Sequence, residues 1–595
     1  MEKLELRVKR NILLECFNRY SKMFISVLLL LLTISISTAL DPVVVQTENG
    51  PYRSDPRLDF HAFEGIRYAE PPIGDLRFAD PVPYTKIHAD IWNASKPGSE
   101  CIQYQGTVNG DEDCLFINIY TQEPDKEAKL PVIVHIHGGG FIYGQGAEWG
   151  PEHLIKRKVV FVTFNYRLGL MGFLSAGASG MTGNMGLKDQ VMALKWIQRN
   201  IEAFGGDPDN VMIVGWSAGA ASVQFHYISP MSKGLFSKGI AHSGSVFNPW
   251  VWQSSPEWRF HVICKKFECD IDDHPFTKSI ECLKQISAKD LVQMTGDPIF
   301  QPFEGNPFNP FGVVLEADSI NSFISESPKE TFSKGEVQLK PLIIAAVRDE
   351  GYYPGAEFLA NPELLTQINE DFDNILPHIL HFPVFSNETK ENITKIIRER
   401  YLGKVPILEE TFTYFVKILT DSLFLAGIHE SIEQFSPLMP TYIYGFDFKT
   451  EYGFGEFLSG RNKVKGIAHG EDMVLIYDTS LRSNIPFTLE EQLVMGHLLD
   501  IYESFAYTSI PKIGGKNLEP TPSLKKSITF THIRGPNNYS TVTTENLDKF
   551  TEKLFWGKIR EILDNSSPQN NQASSISTFC PFLVTFSILF QLYSF

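Results

Sequence analysis

Val211-Met212-Ile213-Val214-Gly215-Trp216-Ser217-Ala218-Gly219-Ala220-Ala221-Ser222-Val223-Gln224 decides the fold. Val211 to Val214 is an apolar run that reads as a strand buried on both faces, and Ala220 to Gln224 is compatible with a helix. Between them, Gly-x-Ser-x-Gly reads as a sharp elbow. A turn that tight has no room for a Cβ at its flanking glycines, and it lifts the Ser217 hydroxyl above the sheet at a helix N-terminus. The pentapeptide arises by chance in long chains, where it means only a glycine turn with an exposed serine. The apolar strand in front of it, and what stands elsewhere in the chain, separate the two meanings.

Working outward, apolar runs rich in β-branched residues recur at Pro131 to His137, Val159 to Asn165, Lys238 to His242, Pro341 to Val347 and Thr441 to Phe446. Helical stretches alternate with them. Leu187 to Phe204 places Val191, Leu194, Trp196, Ile197 and Ile201 at helical spacing and stops at Gly205-Gly206. The alternation predicts an α/β fold with a large, mostly parallel central sheet flanked by helices. Chemistry in open α/β sheets collects at the carboxyl ends of strands. At roughly 150 residues per domain the 595 residues suggest several domains. No internal repeat, low-complexity run or linker interrupts the body, however, so residues 40–560 are expected to form a single catalytic domain.

Hydrophobic residues at 43% and charged residues at 21% fit a globular chain with a large core, and exclude disordered, collagen-like and coiled-coil architectures. A net charge of −17 repels polyphosphate, so no nucleic-acid partner is expected.

A serine hydroxyl is a weak nucleophile at neutral pH. It needs a base to take its proton and donors to hold the oxyanion that follows attack. The run ending at His137 continues as Gly138-Gly139-Gly140-Phe141, where glycines let backbone N–H groups converge. Gly139 and Gly140, with Ala218 just after the serine, are the candidate oxyanion donors. A phosphate-cradling loop is the alternative, but no P-loop lysine follows. Phe141 and Trp216 are candidate walls of a substrate pocket. Among fifteen histidines, His469 stands out in Gly466-Ile467-Ala468-His469-Gly470-Glu471, a glycine-bracketed loop beyond the Thr441 to Phe446 strand. His226 and His242 are nearest the elbow in sequence and are better explained as packing or capping residues. The base needs an acid to orient it. The Pro341 to Val347 strand runs into Arg348-Asp349-Glu350-Gly351, and spacing leaves Asp349 and Glu350 both open.

The chain ends read as processing segments. Lys3, Arg7, Lys9, Arg10, Arg19 and Lys22 precede an apolar run from Phe24 to Leu32 and the small residues Ser37-Thr38-Ala39. This is expected to be a signal peptide over residues 1–39, with Met23 a possible start. Residues 561–595 are expected to hold a polar spacer and a hydrophobic GPI-type signal. The uncharged stretch Phe579 to Phe595 is short for a spanning helix, and Asn565-Ser566-Ser567 suits a lipid-attachment site at Asn565. The alternatives are a tail-anchored helix or an apolar tail packed on the body. Removing Cys16 and Cys580 with these segments leaves five cysteines; Cys101 with Cys114, and Cys269 with Cys282, each close a short loop and leave Cys264 over. Asn93, Asn387, Asn392 and Asn538 begin glycosylation sequons and are expected on the surface of an extracellular protein.

The chain resembles the type-B carboxylesterase/cholinesterase family of α/β-hydrolases, of the insect carboxylesterase or juvenile-hormone-esterase type. Besides the elbow, the likeness rests on Phe63-Glu64-Gly65-Ile66-Arg67-Tyr68-Ala69-Glu70-Pro71-Pro72 with Leu76-Arg77-Phe78. It rests also on Glu112-Asp113-Cys114-Leu115-Phe116-Ile117-Asn118-Ile119-Tyr120 and on Phe204-Gly205-Gly206-Asp207-Pro208 before the elbow. The chain order serine, acid, histidine is that of α/β-hydrolases. The resemblance implies Glu350 as the acid, disulfides Cys101–Cys114 and Cys269–Cys282, and buried ion pairs Arg77 with Glu112 and Arg167 with Asp189. Two departures stand out. Trp216 replaces the family's usual glutamate, or the glutamine of juvenile hormone esterases, beside the nucleophile. The loop from Cys101 to Cys114 carries no tryptophan of the kind that stacks on choline in cholinesterases.

The expected function is a secreted or GPI-anchored serine carboxylesterase acting through Ser217, His469 and Glu350 on a small-molecule ester, with no metal or cofactor. Its rival is an inactive cholinesterase-like adhesion or binding protein.

Overall fold

The computed structural model describes residues 40–566 except 178–180, 254, 272–275, 304–310, 461–463, 523–527 and 545–551. The expected signal peptide and the apolar tail lie outside the described residues. Among the described residues, no helix is long and apolar enough to cross a membrane.

In chain order the strands are β1 (Val44–Thr47), β2 (Gly50–Pro56), β3 (His61–Arg67), β4 (Trp92–Ala94), β5 (Gln103–Tyr104), β6 (Val108–Asn109), β7 (Phe116–Thr121), β8 (Leu130–Ile136) and β9 (Val160–Phe164). There follow β10 (Gly206–Trp216), β11 (Lys238–His242), β12 (Leu342–Val347), β13 (Thr441–Phe446), β14 (Lys512–Ile513), β15 (Lys516–Asn517), β16 (Ile528–Ile533) and β17 (Tyr539–Thr544). Among the described residues, thirteen of them form one sheet in the order β1-β2-β3-β7-β9-β8-β10-β11-β12-β13-β16-β17, with β4 beside β2. From β9 through β16 every pairing is parallel. The pairings outside that central block are antiparallel, apart from the parallel β2–β4 pair.

The apolar runs became strands because both faces of the sheet are covered. β8, β9 and β12 are buried at every position. Side chains alternate across a strand, so Val211 and Ile213 of β10 enter one core while Met212, Val214 and Trp216 enter the other. Each such Val or Ile contributes about 1.5–3 kcal/mol when fully buried. The expected helix is Met185–Asn200, tightening into a 3-10 turn over Ile201–Phe204. It stops at Gly205 (φ 86°), where a Cβ would lie 2.0 Å from the Glu123 carbonyl oxygen. β10 begins five residues before its apolar run, because Gly206 pairs with Leu130 ahead of a bulge. The intervening Asp207-Pro208-Asp209-Asn210 is polar and gave no periodic signal.

Both expected disulfides are present, Cys101–Cys114 and Cys269–Cys282, and Cys264 is buried in neither bridge. Arg77 grips Glu112 with two bonds of 2.7 and 2.6 Å, and Arg167 grips Asp189 with two of 2.8 and 2.7 Å. Replacing one partner alone would strand a buried charge, at a cost of about 3–5 kcal/mol. Asn93, Asn387, Asn392 and Asn538 are all exposed, as is Asn565, which follows the last described helix, Lys553–Asp564.

Candidate active site

β10 delivers Ser217 to the elbow ahead of helix Ala218–Ile228. The serine has φ 60° and ψ −120°, a conformation that L-residues rarely hold. It is kept there by its N–H donating to the His242 carbonyl at 2.8 Å and by close packing of the two glycines. A Cβ on Gly215 would lie 2.1 Å from the Gly219 carbonyl oxygen, and one on Gly219 would lie 2.0 Å from that of Ile136.

The glycine loop after β8 passes directly over this elbow. A Cβ on Gly138 would come within 3.1 Å of Ser217 Cβ. Gly139 and Gly140 both have positive φ, 97° and 61°, and a Cβ on Gly139 would lie 2.0 Å from the Tyr143 carbonyl oxygen. Ala218 opens its helix, where N–H groups have no intrahelical acceptor. His137 buttresses the loop: its ring stacks on Tyr166 at 4.3 Å and its Nδ1 bonds the Gly138 carbonyl at 2.9 Å. Burial lowers the His137 pKa to about 4, so the ring is neutral at physiological pH.

β12 ends at Val347, and Glu350 follows in the turn. Its Oε1 accepts from Val347 N–H at 2.9 Å and its Oε2 lies 2.5 Å from His469 Nδ1. A carboxylate oxygen accepts, so Nδ1 is the ring nitrogen that donates to Glu350 and Nε2 is the one left over. That Nε2 is buried and has no hydrogen-bond partner. Asp349, the alternative acid, is engaged elsewhere: its Oδ2 accepts from Ile467 N–H at 3.0 Å and from Arg348 Nε at 2.9 Å, and its own N–H donates to the Ile467 carbonyl at 3.1 Å. The histidine loop is pinned again beyond His469. Glu471 accepts from Thr450 N–H and Oγ1–H and from Lys449 Nζ, at 3.0, 2.6 and 2.7 Å. Burial raises the Glu471 pKa, and Lys449 opposes the shift.

The competing histidines are occupied structurally. His226 meets Ser232 and Gln190 through its two ring nitrogens, and burial lowers its pKa to about 3. His242 is bonded by Asp472, Tyr444 and Tyr502.

The two expected pocket walls lie in the interior. Trp216 is 5% exposed, with its indole packed on Trp149, Phe454 and His469. Phe141 is fully buried against Phe173. Sequence reasoning did not single out two other rings on His469, Phe424 at 4.7 Å and Tyr353 at 5.2 Å. Tyr353, three residues past Glu350, sits one helical turn from the acid, and its hydroxyl bonds Tyr143. Phe424 belongs to a π-helical turn, Asp421–Leu425, that no residue pattern announces. A cavity of about 380 Å³, lined among others by Phe247, Trp252, Ser422, Ala426 and Ile559, includes none of Ser217, Glu350 or His469.

Comparison with known proteins decides the family. The carboxylesterase family matches residues 42–552. The chain belongs to the carboxylesterase family. Among curated relatives, venom carboxylesterase-6 of Apis mellifera is 37% identical over 520 residues, 85% of this chain and 91% of that protein. Esterase E4 of Myzus persicae is 34% identical over 489 residues, covering 76% and 87%. The crystal structure of juvenile hormone esterase from Manduca sexta, with OTFP covalently attached, aligns with TM-score 0.75 and 25% identity over 88% of this chain and 100% of that one. This carboxylesterase-family chain is thus a carboxylic ester hydrolase of α/β-hydrolase fold, and its substrates are small-molecule esters.

Proposed function

We propose that hydrolysis runs through an acyl-enzyme on Ser217, with His469 as general base and then acid, and Glu350 orienting the imidazole. The observation that carries this reading is the 2.5 Å contact between His469 Nδ1 and Glu350; the buried Nε2 makes no hydrogen bond to Ser217 and is the nitrogen left to act as base. His469 Nε2 takes the hydroxyl proton as Ser217 Oγ bonds to the ester carbonyl carbon. The charge that develops on the carbonyl oxygen is held by the N–H groups of Gly139, Gly140 and Ala218. The C–O bond to the alcohol then breaks, with the proton returned from Nε2 to the leaving oxygen. Water, deprotonated by the same nitrogen, releases the acid. Each oxyanion donor contributes about 3 kcal/mol of transition-state stabilisation. The covalent OTFP adduct of the Manduca sexta relative supports covalent chemistry in this fold.

The preferred esters are neutral and apolar. The Cys101–Cys114 loop supplies no tryptophan wall to stack on a cationic alcohol. The enzyme is extracellular and held at the cell surface by a lipid anchor near Asn565. Two disulfides, four exposed sequons and an exposed Asn565 support that placement.

Turnover of short-chain nitrophenyl esters by the purified protein tests the reading. Activity that disappears in Ser217→Ala supports it; a folded wild-type protein with no turnover favours the binding-protein alternative.

A further inference from the structure

We infer that Trp216 is a positioning residue for this reaction, a wedge that holds the imidazole of His469 and the oxyanion loop in register. The inference rests on the triad proposed above. Three contacts converge on one side chain. The indole lies against the His469 ring, with centroids 4.8 Å apart and planes inclined by 35°. Its Cε3 edge reaches the glycine loop, where a Cβ on Gly138 would stand 3.0 Å away. Its Cζ2 edge reaches the histidine loop, where a Cβ on Gly470 would stand 2.7 Å away. The covalent neighbour of Ser217 therefore touches both loops that deliver the other reacting groups.

The indole is itself fixed from behind. Trp149 packs on it at 5.5 Å and Phe454 at 5.1 Å, and it is 5% exposed. Glycine is required at both touching positions. Gly470, with φ 84°, brings the histidine loop onto the indole, and a Cβ there would also sit 2.8 Å from Phe454. Gly138 would collide with the Trp216 carbonyl oxygen at 2.7 Å. A flat, rigid side chain suits this task because a ring fills the gap without rotamer freedom, so the imidazole plane and the glycine amides keep one spacing.

Plain core filling does not account for the choice of residue. The Trp216 Nε1–H is buried with no acceptor, and an unmet buried donor is destabilising. Phenylalanine would fill apolar space without it. The benzo edge, Cε3 and Cζ2, is the part that meets the two loops.

The test compares Trp216→Leu with Trp216→Phe, reading kcat, KM, melting temperature and the rate constant for labelling by a fluorophosphonate. Trp216→Leu should fold, lower kcat and the labelling rate each by tenfold or more, and leave KM within about threefold, the signature of an interaction that matters in the transition state. Trp216→Phe should melt at or above the wild-type temperature and recover a large part of the lost kcat. If Trp216→Leu lowers the melting temperature while kcat and labelling stay within twofold of wild type, the residue only fills the core and the inference is overturned. Failure of the wild type to label at Ser217 would instead remove the triad reading beneath it.

Discussion

Glu350 and His469 lie 119 positions apart in the chain and meet at 2.5 Å, both excluded from solvent. Two parallel strands make the meeting possible: β12 ends just before Glu350, and the loop beyond its neighbour β13 returns to carry His469. The adjacent Asp349 holds that loop by its backbone at Ile467, so neighbouring carboxylates divide orientation of the ring from anchorage of the loop.

This division makes the two acids distinguishable. Glu350→Gln removes the charge that stabilises the imidazolium and should lower kcat by about 10³–10⁴-fold with little change in melting temperature. Asp349→Asn should cost less than about tenfold in kcat, because the amide oxygen still accepts from Ile467 N–H. Steady-state kinetics on both variants checks the assignment; equal losses would contradict it.

Acid should destabilise the fold before it reaches the carboxylates. Burial lowers the pKa of His137 and His378 to about 4 and of His226 and His381 to about 3. Each binds fewer protons folded than unfolded between those values and about 6.5, so stability rises with pH across that window and is lost as pH falls through it. Asp189, Asp421 and Glu471, whose pKa values burial raises, act in the opposite sense. The four histidines titrate in the window between about 3 and 6.5, where their effect is to favour the folded state as pH rises. Melting curves should show the transition temperature dropping steadily from pH 6.5 towards pH 4. A flat profile there would be inconsistent with neutral buried rings.

Much of this site was legible in the chain because its parts sit where strands end. The strand before Gly215 and the glycines after His137 each carry a backbone demand that only those residues meet, and the structure shows it as clashes of 2.0–2.1 Å at Gly139, Gly215 and Gly219. Asp349 and Glu350 could not be separated by spacing alone; that needed the family likeness, and the geometry then gave each a different task. Phe424 was invisible, because a π-helical turn between two ordinary helices has no compositional mark. Trp216 was visible as a departure, but alternation along β10 sends its side chain into the second core with Met212 and Val214. An odd residue beside a nucleophile invites a pocket reading even where the strand's period turns it inward.

Substrate charge supplies another check. The ratio of kcat/KM for a neutral nitrophenyl butyrate over butyrylthiocholine should exceed about tenfold, since the Cys101–Cys114 loop offers the cationic ester no tryptophan wall. Equal turnover of the two esters by the wild type would refute the charge argument.

The proposed surface anchor is tested on intact cells. Treatment with a phosphatidylinositol-specific phospholipase should release the enzyme into the medium. If only detergent frees it, the tail spans the membrane; if it is already in the medium, no anchor is retained.

The most direct test of the central claim is to react the folded enzyme with a fluorophosphonate and map the adduct by peptide mass spectrometry. The account predicts one phosphonylated residue, Ser217, with labelling abolished in Ser217→Ala and slowed by at least about a hundredfold in His469→Ala. Modification elsewhere, or undiminished labelling of Ser217 without His469, would contradict it.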